Sequence, residues 1–118
     1  IKAVTGAEPT LYRGPYGEYN NASLEVCEKL KMFPIQWDCD SRDWQKRSAE
    51  EMCKSVCENA KNGSIVLFHN DLENTPAALD KILKNLSKDG YKFVAVSDLI
   101  YKDNYYIRHD GTQIKKDG

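Results

Sequence analysis

The sequence predicts an α/β fold in which four parallel strands alternate with three helices, equal to about half of an eight-unit (β/α) barrel or to a small open sheet. Three observations predict it. Strand-length apolar runs and amphipathic helical segments take turns along the chain. The runs are continuous rather than alternating, as strands covered on both faces read. Each helical segment has a punctuated start. With 118 residues, 41% hydrophobic and 30% charged, the chain is long enough for one compact domain with its own core.

The first strand is expected over residues 10–13 (TLYR). A helix over 22–32 follows, with Leu24, Cys27, Leu30 and Met32 on one side and Asn20, Asn21 and Ser23 as candidate caps. The second strand is placed at 34–38 (PIQWD). A helix over 48–60 opens with Ser-x-x-Glu, a capping box, and lines up Ala49, Met52, Cys53, Val56, Cys57 and Ala60 at helical spacing. The third strand, 64–69 (SIVLFH), and the fourth, 91–96 (YKFVAV), are rich in β-branched and aromatic residues. Between them a helix over 75–88 starts with Thr and Pro, carries Leu79, Ile82, Leu83 and Leu86 on one face, and stops before Gly90. Beyond Tyr101, the Asp110-Gly111 pair suits a hairpin.

The 17 basic and 18 acidic residues give a net charge of -1, which excludes an electrostatic case for nucleic acid as a partner. The longest apolar run, IVLF, is strand-sized, so no membrane anchor is expected. Ile1 is read as a point within a longer sequence, without an initiator Met or a signal peptide. Cys27, Cys39, Cys53 and Cys57 include no CxxC pair. Each falls where the pattern wants an apolar residue, which favours core packing over a metal site or a structural disulfide.

In parallel α/β folds the loops after the strands converge on one rim, and chemistry collects there. The first strand leads into Arg13-Gly-Pro-Tyr-Gly17, the second into Cys39-Asp-Ser-Arg-Asp-Trp44, the third into His69-Asn-Asp71. Arginine, aspartate, tryptophan and histidine are thereby expected on a common edge. Singly, each has a plainer reading: Arg13 as a salt bridge near a turn, His69 as a satisfied strand-end histidine, Asp40 and Asp43 as caps. Their conjunction is what carries the functional expectation.

At these residues the sequence resembles the polysaccharide deacetylase family, also called the NodB-homology domain or carbohydrate esterase family 4. RGPYG, DSRDW and VLFH match its arginine, DxxDW and histidine motifs, in the family's order and with similar spacing, and the lead-in TGAEPTLYRGPYG matches too. The resemblance implies a distorted (β/α) barrel of which residues 1–101 form the carboxy-terminal part, with 102–118 as a tail. It implies removal of acetyl groups from N-acetylglucosamine-containing polysaccharide such as chitin or peptidoglycan, by a metal-bound water.

Carried over residue by residue, the resemblance makes Arg13 the tether of the catalytic base, with the Tyr16 backbone N–H holding the oxyanion and Pro15 and Gly17 shaping that loop. His69 becomes the general acid and Asp43 the carboxylate that orients it, with Asp40 the fallback. Trp44 walls the sugar groove and Leu67 lines the pocket for the acetyl methyl.

The family's first two motifs, which supply the base aspartate, a metal-binding aspartate and two metal-binding histidines, lie ahead of the arginine motif and have no counterpart here. His69 and His109 are the only histidines, so no HxxxH pair exists. Asn70 stands where many relatives carry Asp. A divalent metal, zinc for preference, is therefore expected in the complete enzyme and none on this chain alone, with the missing amino-terminal half as a partner. Strand edges and apolar faces left for that half would suit a homodimer or swapped assembly. The isolated chain is expected to be inactive, and the family implies secretion or a cell-surface location. A different class stays open: a non-catalytic carbohydrate-binding or scaffold domain that kept Trp44 and its loop.

Overall fold

The computed structural model of the chain describes residues 1–116. In chain order its elements are α1 (Lys2–Thr5), β1 (Leu11–Tyr12), α2 (Asn21–Lys29), β2 (Phe33–Pro34) and β3 (Cys39–Asp40). There follow α3 (Ala49–Asn59), β4 (Val66–Leu67), α4 (Thr75–Lys88), α5 (Val96–Leu99), β5 (Tyr105–Ile107) and β6 (Gln113–Lys115). Contacts divide the chain into two compact units, Ile1–Gln36 with the chain from Ile100 onward, and Trp37–Leu99.

In the first unit β1 pairs in parallel with β2, Leu11 opposite Phe33 and Tyr12 opposite Pro34. Phe33 N–H donates to the Thr10 carbonyl and Ile35 N–H to that of Tyr12, so the ladder steps over Pro34, which has no N–H to give. Helix α2 starts at a reciprocal cap, in which Asn20 Oδ1 accepts from Ser23 N–H and Ser23 Oγ accepts from Asn20 N–H, both at 2.8 Å. It ends before the expected Met32 because Lys31 turns left-handed at φ 57. Cys27 is the buried residue of this helix, and Leu30, expected beside it, is exposed. The tail forms the expected antiparallel hairpin, β5 with β6; its last two residues lie outside the described ones.

In the second unit β3 and β4 pair in parallel, Cys39 opposite Val66 and Asp40 opposite Leu67. Helices α3 and α4 pack on each other through Met52, Cys53, Val56, Ala78, Ile82 and Leu86, with Cys39 joining from the strand. Full burial of each large aliphatic side chain contributes roughly 1.5–3 kcal/mol, so this small core is what fixes the unit. Ser48 Oγ accepts from Glu51 N–H at 3.1 Å and starts α3. All four cysteines are free thiols; Cys27, Cys39 and Cys53 are buried and Cys57 is half-buried.

The α/β class with parallel strands holds, and the strand positions need correcting. The run 34–38 is not one strand: Phe33–Pro34 pairs in the first unit and Cys39–Asp40 in the second. Between them the Asp38 carboxylate, rather than a backbone carbonyl, accepts Ile65 N–H at 2.6 Å and Ser64 O–H at 2.7 Å. The run 91–96 forms no strand either. Its apolar sequence suits one, but no described residue pairs with it, and an unpartnered backbone makes no ladder. Tyr91 anchors its start, N–H to Leu86 and hydroxyl to Ala60, while Phe93 and Val94 are 52% and 55% exposed. On α4 the buried stripe is Thr75, Ala78, Ile82 and Leu86, and Leu79 and Leu83 face outward instead.

Candidate active site

Because Asp40 stands opposite Leu67 in the parallel register, the chain leaves β3 and β4 side by side. Asp43 and His69 follow within a few residues, and they meet. Asp43 Oδ1 lies 2.7 Å from His69 Nδ1, and Asp43 Oδ2 accepts the His69 backbone N–H at 2.7 Å. Thr75 Oγ1, at the start of α4, donates to the same Oδ2 at 2.9 Å. The Asp43 side chain is fully buried while that of His69 is 43% exposed, so the pair has a fixed inner end and an open outer one.

Burial opposes ionisation of Asp43, but the hydrogen bonds from His69 N–H, the His69 ring and Thr75 together outweigh it and hold the carboxyl below its ordinary value of 3.8. A buried carboxylate facing an imidazole fixes which ring nitrogen carries the inner proton. With Nδ1 engaged, Nε2 is the nitrogen left for proton exchange with a bound molecule.

The loop around Asp43 is held from several sides. Ser41 is fully buried; its N–H donates to the Leu67 carbonyl at 3.2 Å and its Oγ accepts Asp43 N–H at 3.3 Å. Asp40 Oδ1 accepts Arg42 N–H at 2.9 Å, a local turn bond rather than the helix cap expected of it, and the carboxylate on His69 is that of Asp43. Arg47 Nη1 donates to the Ser41 carbonyl at 3.4 Å, and Asn74 Nδ2 to the Arg47 carbonyl at 3.0 Å. The turn Asp43–Gln45 sits between Arg42 and Lys46, both left-handed at φ 54 and 57. Such strain, about 1–2 kcal/mol per residue, persists where the surroundings over-determine the backbone. Trp44 projects from this turn, 57% exposed, directly after the buried Asp43. Leu67 is buried.

In the first unit the loop after β1 carries Arg13, Pro15 and Tyr16. A 3-10 turn, Pro15–Gly17, closes through Gly17 N–H to the Gly14 carbonyl at 2.8 Å and Glu18 N–H to that of Pro15 at 3.0 Å. Gly14 is required, since a Cβ there would run into the Glu18 carbonyl oxygen. Tyr16 is left-handed at φ 57 and its ring is almost wholly exposed.

Thr75, Ser41 and Gln36 are the supporting residues that the sequence reading passes over. For Thr75 the available signal is Asn74-Thr-Pro: Asn74 occupies the cap position, which leaves the Thr75 hydroxyl to another acceptor. Ser41 and Gln36 carry no comparable signal. As for a metal centre, no three His, Cys, Asp or Glu side chains converge among the described residues, and His69 Nδ1 is taken by Asp43.

No family model matches the sequence. Among curated proteins the chain is similar to a peptidoglycan-N-acetylglucosamine deacetylase of Bacillus cereus, 42% identical over 98 residues, covering 79% of this chain and 46% of the relative. Among solved structures it is similar to a peptidoglycan N-acetylglucosamine deacetylase determined with 4-naphthalen-1-yl-N-oxidanyl-benzamide, with a TM-score of 0.80 and 29% identity over 83% of this chain and 48% of that one. It is also similar to a family 4 carbohydrate esterase pseudoenzyme from Bacillus anthracis, with a TM-score of 0.79 and 25% identity over 86% of this chain and 36% of that one. The chain thus spans about half the length, or less, of the relatives it matches. Three motifs in order, a parallel strand pair ending in an Asp–His contact, and these likenesses lead to one conclusion: the chain belongs to the polysaccharide deacetylase family, carbohydrate esterase family 4.

Proposed function

We propose that this chain is the carboxy-terminal part of a deacetylase that removes acetyl groups from N-acetylglucosamine in a cell-wall polysaccharide such as peptidoglycan. The observation that carries this is the Asp43–His69 contact, with its buried carboxylate and open imidazole edge. Water adds to the acetyl carbonyl, the C–N bond breaks, His69 Nε2–H gives its proton to the departing sugar amine, and acetate leaves. Asp43 keeps the imidazole oriented, with Nε2 turned to the bound molecule. The Tyr16 N–H faces the developing oxyanion, Arg13 tethers the base, and Trp44 offers an apolar plane to the sugar beside a methyl pocket at Leu67. Divalent metal, zinc for preference, together with the base, belongs to residues outside this chain. Such an enzyme works on wall material at the cell surface or in the secreted state.

The test compares the complete protein with the 118-residue chain on an N-acetylglucosamine oligomer. Acetate release is expected from the complete protein with added zinc and none from the chain alone; full activity of the chain alone would overturn the reading.

The similarity to a pseudoenzyme favours keeping a second reading, a non-catalytic glycan-binding domain. It requires that the complete protein binds glycan without hydrolysing it under any metal. Under either reading Trp44→Ala should weaken glycan binding about tenfold and shift stability by less than about 0.5 kcal/mol, because the ring is exposed.

A further inference from the structure

The tail hairpin lies outside the motifs that identify the family, yet its tip contacts the residues that hold the loop after β1. Gln36 Nε2 donates to the carbonyl of Gly17, where that loop ends. Behind the Gln36 stem stands Gly111 of the hairpin turn, left-handed at φ 89. A Cβ there would lie 2.7 Å from Gln36 Cγ and 3.1 Å from its Cβ. The tip also accepts a hydrogen bond, from Tyr19 O–H to the His109 carbonyl at 2.6 Å. The turn is itself stiffened: Asp110 accepts from the Arg108 guanidinium and, at 3.0 Å, from Thr112 N–H.

The geometry points to Gln36 as a positioning residue for the loop 13–17, with Gly111 and His109 at the hairpin tip as its backstop. The inference rests on the deacetylase reading, which assigns that loop the base tether and the oxyanion donor. Tyr16, ahead of Gly17, is left-handed at φ 57, which for a residue other than glycine persists only where neighbours enforce it. Gln36 pulls on the carbonyl at one end of the pair, and Tyr19, just beyond the loop, is tied to the hairpin. A hairpin without catalytic groups thereby sets the aim of an N–H that has to meet developing charge.

The experiment uses the complete deacetylase containing this chain, as wild type, Gln36→Met and Gly111→Ala. It measures hydrogen exchange over residues 14–18 together with kcat and KM on an N-acetylglucosamine oligomer. Gln36→Met keeps the stem and loses the donor; it should raise exchange at Gly17 and Glu18 and lower kcat by about five- to tenfold with KM little changed. Gly111→Ala should do the same by pushing the stem aside. Unchanged exchange in both variants overturns the inference, as does a loss carried by KM or a rise in exchange spread over the whole chain. A wild type without deacetylase activity overturns the functional reading instead, and the exchange data then decide the positioning claim alone.

Discussion

Asp43 and His69, separated by 26 positions, are joined at two points: one carboxylate oxygen faces the ring Nδ1 and the other accepts the backbone N–H. The second bond matters as much as the first. It fixes the main chain of the histidine to the carboxylate, so the ring can rotate only about its own side-chain bonds.

Replacing Asp43 by Asn removes the charge and turns an amide N–H₂ toward donors. Folding stability should fall by about 1–3 kcal/mol, since buried donors lose their acceptor. In the complete enzyme kcat should fall about 10³- to 10⁴-fold through misorientation of the imidazole. Urea denaturation and steady-state kinetics measure the two separately. His69→Ala should be as damaging to kcat and milder in urea, its side chain being 43% exposed.

Acid should expose the same group. Folding lowers the Asp43 pKa, so the folded chain binds fewer protons there than the unfolded chain. The contribution is whole above the ordinary 3.8 and is lost as pH falls through the lower, folded value. Urea midpoints taken from about pH 6 down to about pH 3 should therefore drop more steeply for the wild type than for Asp43→Asn. Parallel curves would contradict the assignment.

Thr75 stands at the first turn of α4 and spends its hydroxyl on Asp43 rather than on the helix. Thr75→Val should cost about 1 kcal/mol, with Thr75→Ser close to wild type. The kinetic counterpart is a smaller kcat loss than for Asp43→Asn, read on the same substrate. Equal stability of the Val and Ser variants would mean the hydroxyl contributes nothing.

Cys53 and Cys57 lie a helical turn apart, Sγ to Sγ 3.9 Å. Burial, and then the neighbouring Cys53, push the Cys57 thiol up to about 11. At neutral pH it should alkylate far more slowly than a free cysteine, and faster as pH rises toward that value. Peptide mapping after timed iodoacetamide treatment follows it directly.

The three longer helices were readable because each carries its own punctuation: Asn20 with Ser23, Ser48 with Glu51, Thr75 before Pro76. The strands were less so, since a strand is defined by its neighbour. Residues 91–96 have the composition of a strand without a described partner, and 34–38 contain Asp38, whose side chain substitutes for the ladder. In the second unit, Asp43 and His69 could be picked out because both follow strand-length apolar runs. Gln36 and Ser41 could not, because their work is done through a side-chain amide and a backbone contact that no local pattern announces.

The exposure of Trp44 has a practical corollary. The chain contains two tryptophans, and the other, Trp37, is half-buried. A Trp37→Phe variant would leave a single tryptophan, directly beside Asp43 in the chain. Its emission wavelength and its quenching by acrylamide would then report arrivals and departures at the candidate site without any added dye.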